Sequence, residues 1–90
     1  MKDPELATYC DKVESEFFRL KGRPGMLSPA DFALASNWYR SGLRLSVVLE
    51  GIARTFAERR GSRDGGVEEV NSLAFCEPFV ERLAKERPSF

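Results

Sequence analysis

Four groups of residues in this chain are of types that can do chemistry: the acid pair Asp11/Glu14, the thiols of Cys10 and Cys76, a glycine-rich run at 61–66, and six cations, Arg19, Lys21, Arg23, Arg59, Arg60 and Arg63. Asp11 and Glu14 offer paired carboxylates, but they fall on the polar side of their helix, where a solvated face is the expected role. Histidine is absent. Hydrolytic triads need a base, usually imidazole, to activate a weak nucleophile. Zinc sites need clusters of Cys and His, and di-iron sites in bundles need Glu-x-x-His pairs. The chain is therefore expected to be no enzyme, to hold no metal or cofactor, and to take no small-molecule substrate.

The run Gly61-Ser62-Arg63-Asp64-Gly65-Gly66 lacks the Gly-Lys-Ser/Thr ending of a phosphate loop and follows no strand. Its composition predicts a flexible loop over about 61–67. Cys10 and Cys76 fall on apolar helix stripes and should be reduced, buried and inert, because a buried thiol is a poor source of thiolate. A disulfide-stapled secreted domain of this size usually carries about four cysteines or more.

The cations carry more information. Residues 19–63 hold nine Lys or Arg against three acids, a local +6, whereas residues 1–18 and 64–90 each sum to −3. Segregation of this kind marks either an anionic partner or a self-complementary fold. Arg19, Lys21 and Arg23 lie at the first connection, and Arg59, Arg60 and Arg63 at the last. If those two ends meet, they form a rim able to grip phosphates without reading sequence. The simpler role for Arg59 and Arg60 is to complement the dipole at a helix C-terminus.

Four helices must position these groups. The first is expected over 4–21, with Asp3 as N-cap, Pro4 at the first helical position and Gly22 as the stop. Leu6, Tyr9, Cys10, Val13, Phe17 and Leu20 share an arc of roughly 100°, while Phe18 lies off it. The second helix, over 29–41, starts at the Ser28-Pro29 cap, with Asp31 placed to close a shortened capping box and Leu27 and Phe32 placed as a hydrophobic staple. Phe32, Leu34, Ala35, Trp38 and Tyr39 give it an apolar side of roughly 160°, wider than one neighbour covers. Gly42 ends it. The third helix, over 45–60, buries Leu45, Val48, Leu49, Ile52 and Phe56. The fourth, over 72–87, turns Leu73, Cys76, Phe79, Val80, Leu83 and Ala84 inward, and Pro78 should kink it or split it into a short turn and a helix capped by Glu77. With no alternating strand pattern, the fold class is all-α, a compact four-helix domain filling residues 1–90.

Helices two and three around a glycine turn invite a helix-turn-helix reading. Two features oppose it: Trp38 stands four residues before Gly42, where close helix approach favours a small residue, and the outer face of helix three would present Val47, Glu50, Arg54 and Glu58, acidic on balance.

The stretches Gly22-Arg23-Pro24, Leu27-Ser28-Pro29, Trp38-Tyr39, Gly42, Val48-Leu49, Ile52, Phe56 and Asn71-Ser72-Leu73 with Phe75-Cys76-Glu77 resemble a family of small bacterial helical proteins of uncharacterised function. More distantly, residues 22–83 are similar to the DNA-binding helical domain of the replication-initiation protein DnaD. That family shares the Leu-Ser-Pro helix start and the Trp before a Gly turn, and its terminal Tyr-x-x-x-Ile-x-x-x-Trp spacing falls on Phe75, Phe79 and Leu83, with all three residue types changed. The resemblance implies an all-helical fold and a nucleic-acid-linked role.

No apolar run approaches the ~20 residues of a membrane span, and with no apolar stretch behind the charges of Met1-Lys2-Asp3-Pro4-Glu5 no signal peptide is expected. A soluble cytoplasmic chain with no membrane partner is expected. The expected function is a non-enzymatic protein-interaction module that binds another protein or a second copy as a homodimer, with Phe18 and Leu34 at the contact. The alternative is a nucleic-acid-binding accessory domain using the basic segment 19–63.

Overall fold

Residues 4–22, 24–60 and 72–86 are described by this computed structural model, and they form four α-helices and one 3₁₀ turn: α1 Pro4–Lys21, α2 Pro29–Arg40, α3 Leu45–Arg60, the turn Leu73–Cys76, and α4 Glu77–Glu86. The domain is all-α, and among the described residues there is no strand. Asp3, the 61–67 loop and the end of the last helix beyond Glu86 lie outside the described residues.

Local chemistry sets the helix ends. Gly22 and Gly42 adopt φ of 81° and 82°, the left-handed conformation in which a Cβ is penalised. At Gly42 the Leu43 N–H returns to the Trp38 carbonyl (3.1 Å) and the Gly42 N–H to Tyr39 (3.1 Å), a Schellman ending that satisfies carbonyls the helix leaves open. Ser28 caps α2 by accepting from the Asp31 N–H at 3.2 Å. Pro78 splits the last helical segment as expected. The cap differs: Ser72 accepts from the Ala74 N–H at 3.0 Å, while Glu77 is already helical at φ −55°, ψ −47°.

Asp31 does not close a box on its own helix. Buried (7% exposed), it accepts the Leu73 N–H at 3.1 Å and so pins the start of the 3₁₀ turn to the start of α2. The turn is thus held by a residue forty-two positions away.

Tyr9 Oη donates to the Leu43 carbonyl at 3.0 Å, and further along Phe17 meets Phe56 edge-on with centroids 5.7 Å apart. Hence α1 and α3 run parallel. α2 returns antiparallel beside α1: Tyr9 packs on Tyr39 (5.2 Å) and Cys10 Sγ lies 4.0 Å from Ser36 Oγ at one end, and the Leu27 N–H reaches Glu14 Oε2 (3.0 Å) towards the other. α4 comes back along α3, where Gly51 meets Val80. The core is Tyr9, Cys10, Val13, Phe17, Ala35, Trp38, Val48, Ile52, Phe56, Leu73, Cys76 and Val80.

Three expectations are corrected. Val47 is buried rather than on an outer face, because α3 packs against α1, α4 and the 3₁₀ turn together. Glu14 is half-buried and accepts the Leu27 N–H, so it does not sit on a freely solvated face. Phe32 leaves the apolar side of α2 and is exposed, while Leu27 packs on the core. The broad apolar side of α2 meets two neighbours, as its width implied: α1 on one flank and the 3₁₀ turn on the other.

Candidate protein-docking face

Phe18 lies off the stripe of α1, yet it is half-buried. Its ring packs edge-on against Phe17 (5.2 Å), and the connection to α2 crosses its outer side. A Cβ on Gly25 would fall 2.5 Å from Phe18 Cε1. The missing side chain of Gly25 is what lets the backbone press onto the ring. Beside that crossing is a shallow, open depression of about 420 Å³ lined by Ser15, Phe18, Arg19, Gly22 and Pro24. Leu34, the other side chain expected at a contact, is half-buried and packed on the core.

The connection leads into a stretch of surface that carries no outward charge. Across 24–39 the sequence carries one charge, Asp31, and the fold turns that charge inward onto Leu73. Outside remain Pro24, Gly25, Met26, Ser28, Pro29, Ala30, Phe32 and Ala33. Met26 is 82% exposed and Phe32 48%, the two large hydrophobic side chains that the described fold leaves open. Single exposed apolar residues are ordinary, but a contiguous uncharged stretch is the surface that partners cover. Met26 was missed in the sequence. The signal was there: fifteen of these sixteen residues are uncharged, and the capping position of Asp31 hides the exception.

The six expected phosphate contacts divide. Arg19 makes a two-pronged pair with Glu16, Nε to Oε1 and Nη2 to Oε2 both at 2.8 Å, which holds the Glu16 carboxyl below its ordinary range. Lys21 Nζ stands 5.4 Å from the Phe17 ring centroid and 5.5 Å from that of Phe18, within cation–π reach. Because α1 and α3 run parallel, their C-termini lie at one end of the bundle, so the backbone of Arg59 and Arg60 is brought to the end that carries Arg19 and Lys21. The side chains of Arg59 and Arg60, and Arg23 and Arg63 entirely, lie outside the described residues. On α3, Arg54 is paired with Glu50 at 2.8 Å.

The thiols are free and buried. Burial pushes the Cys10 thiol up despite its contact with Ser36, and pushes Cys76 up to about 11 despite its hydrogen bond with Thr55. Tyr9 is likewise raised by burial. Such groups stay protonated at neutral pH. No cluster of three metal-ligating side chains occurs among the described residues, and none of their helices is long and apolar enough to cross a membrane. Comparison with known proteins gives no match: no family model, curated protein or solved structure matches the chain.

Proposed function

We propose that this chain is a protein-interaction module whose docking face is the α1–α2 connection and the outer side of the first turns of α2. One observation carries the reading: the fold takes the single charge of residues 24–39 inside and leaves Met26 and Phe32 out. A domain this small has few apolar side chains to spare, since a chain of its length buries little more than ~60% of its unfolded surface. Leaving two large ones in water forfeits folding energy, and burial against a partner recovers it.

The test is a photo-activated cross-linking residue placed, one position at a time, at 26 and 32, with 11 and 58 as exposed controls, in the cells the protein comes from. The reading requires one defined protein adduct from 26 and 32 and none from 11 and 58. Equal labelling at all four positions, or none, overturns it.

A second reading is favoured by a separate observation, the shared location of the α1 and α3 C-termini with their basic residues. It makes that end a phosphate-gripping rim, in line with the DnaD resemblance. Phosphate contacts release counterions, so binding to single- or double-stranded DNA should weaken steeply with salt. Flat, weak binding at low salt removes this reading.

A further inference from the structure

The 3₁₀ turn and α4 fill a gap that the other three helices leave. α1 lies against both α2 and α3, but α2 and α3 hardly approach each other. The turn stands between those two, touching each, and carries α4 back along α3. Its inward side chains, Leu73 and Cys76, are fully buried, and Val80 and Leu83 continue the same stripe along α4. We infer that the turn and α4 form a strap that opens as one unit from an intact α1–α2–α3 body. The latch of the strap is the hydrogen bond from the Leu73 N–H to Asp31, and what it uncovers is the cleft between α2 and α3.

Three observations place the line of parting there. The ties within the body do not involve the strap: Tyr9 to the Leu43 carbonyl, the Leu27 N–H to Glu14, Tyr39 to Glu5 at 3.3 Å, and Phe17 on Phe56. All of them survive when the strap leaves, so opening gives up only part of the buried surface that global unfolding exposes. The latch itself joins a buried carboxylate to a backbone donor, and a buried carboxylate stays out of water only while it is hydrogen-bonded. Trp38 supplies the third observation. It stands two turns along the same face of α2 as Asp31 and so looks into the cleft. It is 4% exposed, and its Nε1 meets no acceptor among the described residues. Water entering an open cleft provides that acceptor, which favours the open form.

The two buried thiols report the two parts separately, because Cys10 lies in the body and Cys76 in the strap. The test is labelling of the native chain by N-ethylmaleimide at rising urea, with each thiol resolved by peptide mass and its rate taken relative to the urea-unfolded chain. In the wild type Cys76 should label faster than Cys10. Its rate should climb with urea at about half the slope of global unfolding or less, whereas Cys10 should follow the full slope. This comparison needs no variant. Asp31→Ala should raise the Cys76 rate by about 10–100-fold at an unchanged slope, and Asp31→Asn, which keeps an acceptor, by less. Phe17→Leu loosens the body alone, so it should raise the Cys10 rate by about 5–10-fold and leave Cys76 in dilute urea within about 2-fold of wild type. Both thiols labelling at one rate with one slope, a Cys76 rate indifferent to Asp31→Ala, or Phe17→Leu accelerating both alike would overturn the strap.

Discussion

Gly51→Ala should destabilise this protein, although the same change at most mid-helix positions would stabilise it. In an exposed helix interior, alanine is favoured over glycine by about 0.8–1.0 kcal/mol. At Gly51 a Cβ would lie 2.5 Å from Val80 Cγ2, 2.9 Å from Val80 Cα and 3.0 Å from Val80 N. The Val80 methyl can rotate away, but its backbone cannot, and carbon atoms in contact sit ~3.5–4.0 Å apart. α4 would have to move off α3 by roughly 0.5–1 Å, loosening Val80, Leu83 and Cys76, all buried without exposed surface to absorb the shift. Overpacking of this kind typically costs about 1–3 kcal/mol, and more where backbone must move. Here Val80 backbone must move, so the cost should be about 2–4 kcal/mol; less the propensity gain, the net loss should be about 1–3 kcal/mol, a large part of the roughly 5–13 kcal/mol available to a domain of this length. Urea denaturation followed by circular dichroism reads it as a lower midpoint at unchanged slope, and a thermal scan as a drop of about 4–8 °C per kcal/mol. A Gly51→Ala protein as stable as wild type, or more so, would refute the close approach of α3 and α4.

Three further outcomes follow from buried polar groups. Asp31→Ala should cost about 1.5–3 kcal/mol by stripping the Leu73 N–H of its acceptor, and Asp31→Asn, which keeps an oxygen there, should cost less; equal losses in denaturation would contradict the bond. Trp38 is 4% exposed with its Nε1 unpartnered among the described residues, so Trp38→Phe should cost under about 1.5 kcal/mol while Trp38→Ala costs about 3–5; similar values for both would mean the ring N–H matters. Because the Cys76 thiol is raised in the fold from 9.0 to about 11, the unfolded chain loses that proton first, and stability is full below about pH 9 and falls towards pH 11 by up to about 3 kcal/mol. Cys10 and Tyr9, also raised by burial, act in the same direction. Cys76→Ala should be less stable at neutral pH but show a shallower alkaline decline, measured by urea midpoints at about pH 8 and about pH 10.5; parallel declines would exclude the thiol as a source.

What the sequence made legible was local. Ser28-Pro29, Gly22, Gly42 and Pro78 act on the few residues around them, and each ended, started or split a helix where its chemistry required. What it hid depends on partners far along the chain. Asp31 looked like half of a capping box because nothing nearby announces Leu73 as its partner. Val47 looked exposed because a stripe drawn for one neighbour is too narrow for a helix with three. Thr55 is buried because its hydroxyl donates to the Gly51 carbonyl at 2.8 Å, so a polar residue can join an apolar face. Phe18 was rightly placed off the stripe, but its cover is the Gly25 backbone, a contact made by an absent side chain. The docking face was half-legible. Its lack of charge is plain in residues 24–39, but whether Phe32 turns inward is decided by how α2 sits against α1 and the 3₁₀ turn.

The docking face is tested most directly by the native mass of the chain in an extract of its own cells, read by gel filtration. Wild-type protein should elute in an assembly well above the 10.2 kDa of one chain. The double variant Met26→Glu/Phe32→Glu should elute at the mass of a single chain, with its melting temperature within about 2–4 °C of wild type, as expected for substitutions at exposed positions. Identical elution of the two, in an assembly or as single chains, would contradict the claim that this face exists to be covered by another protein.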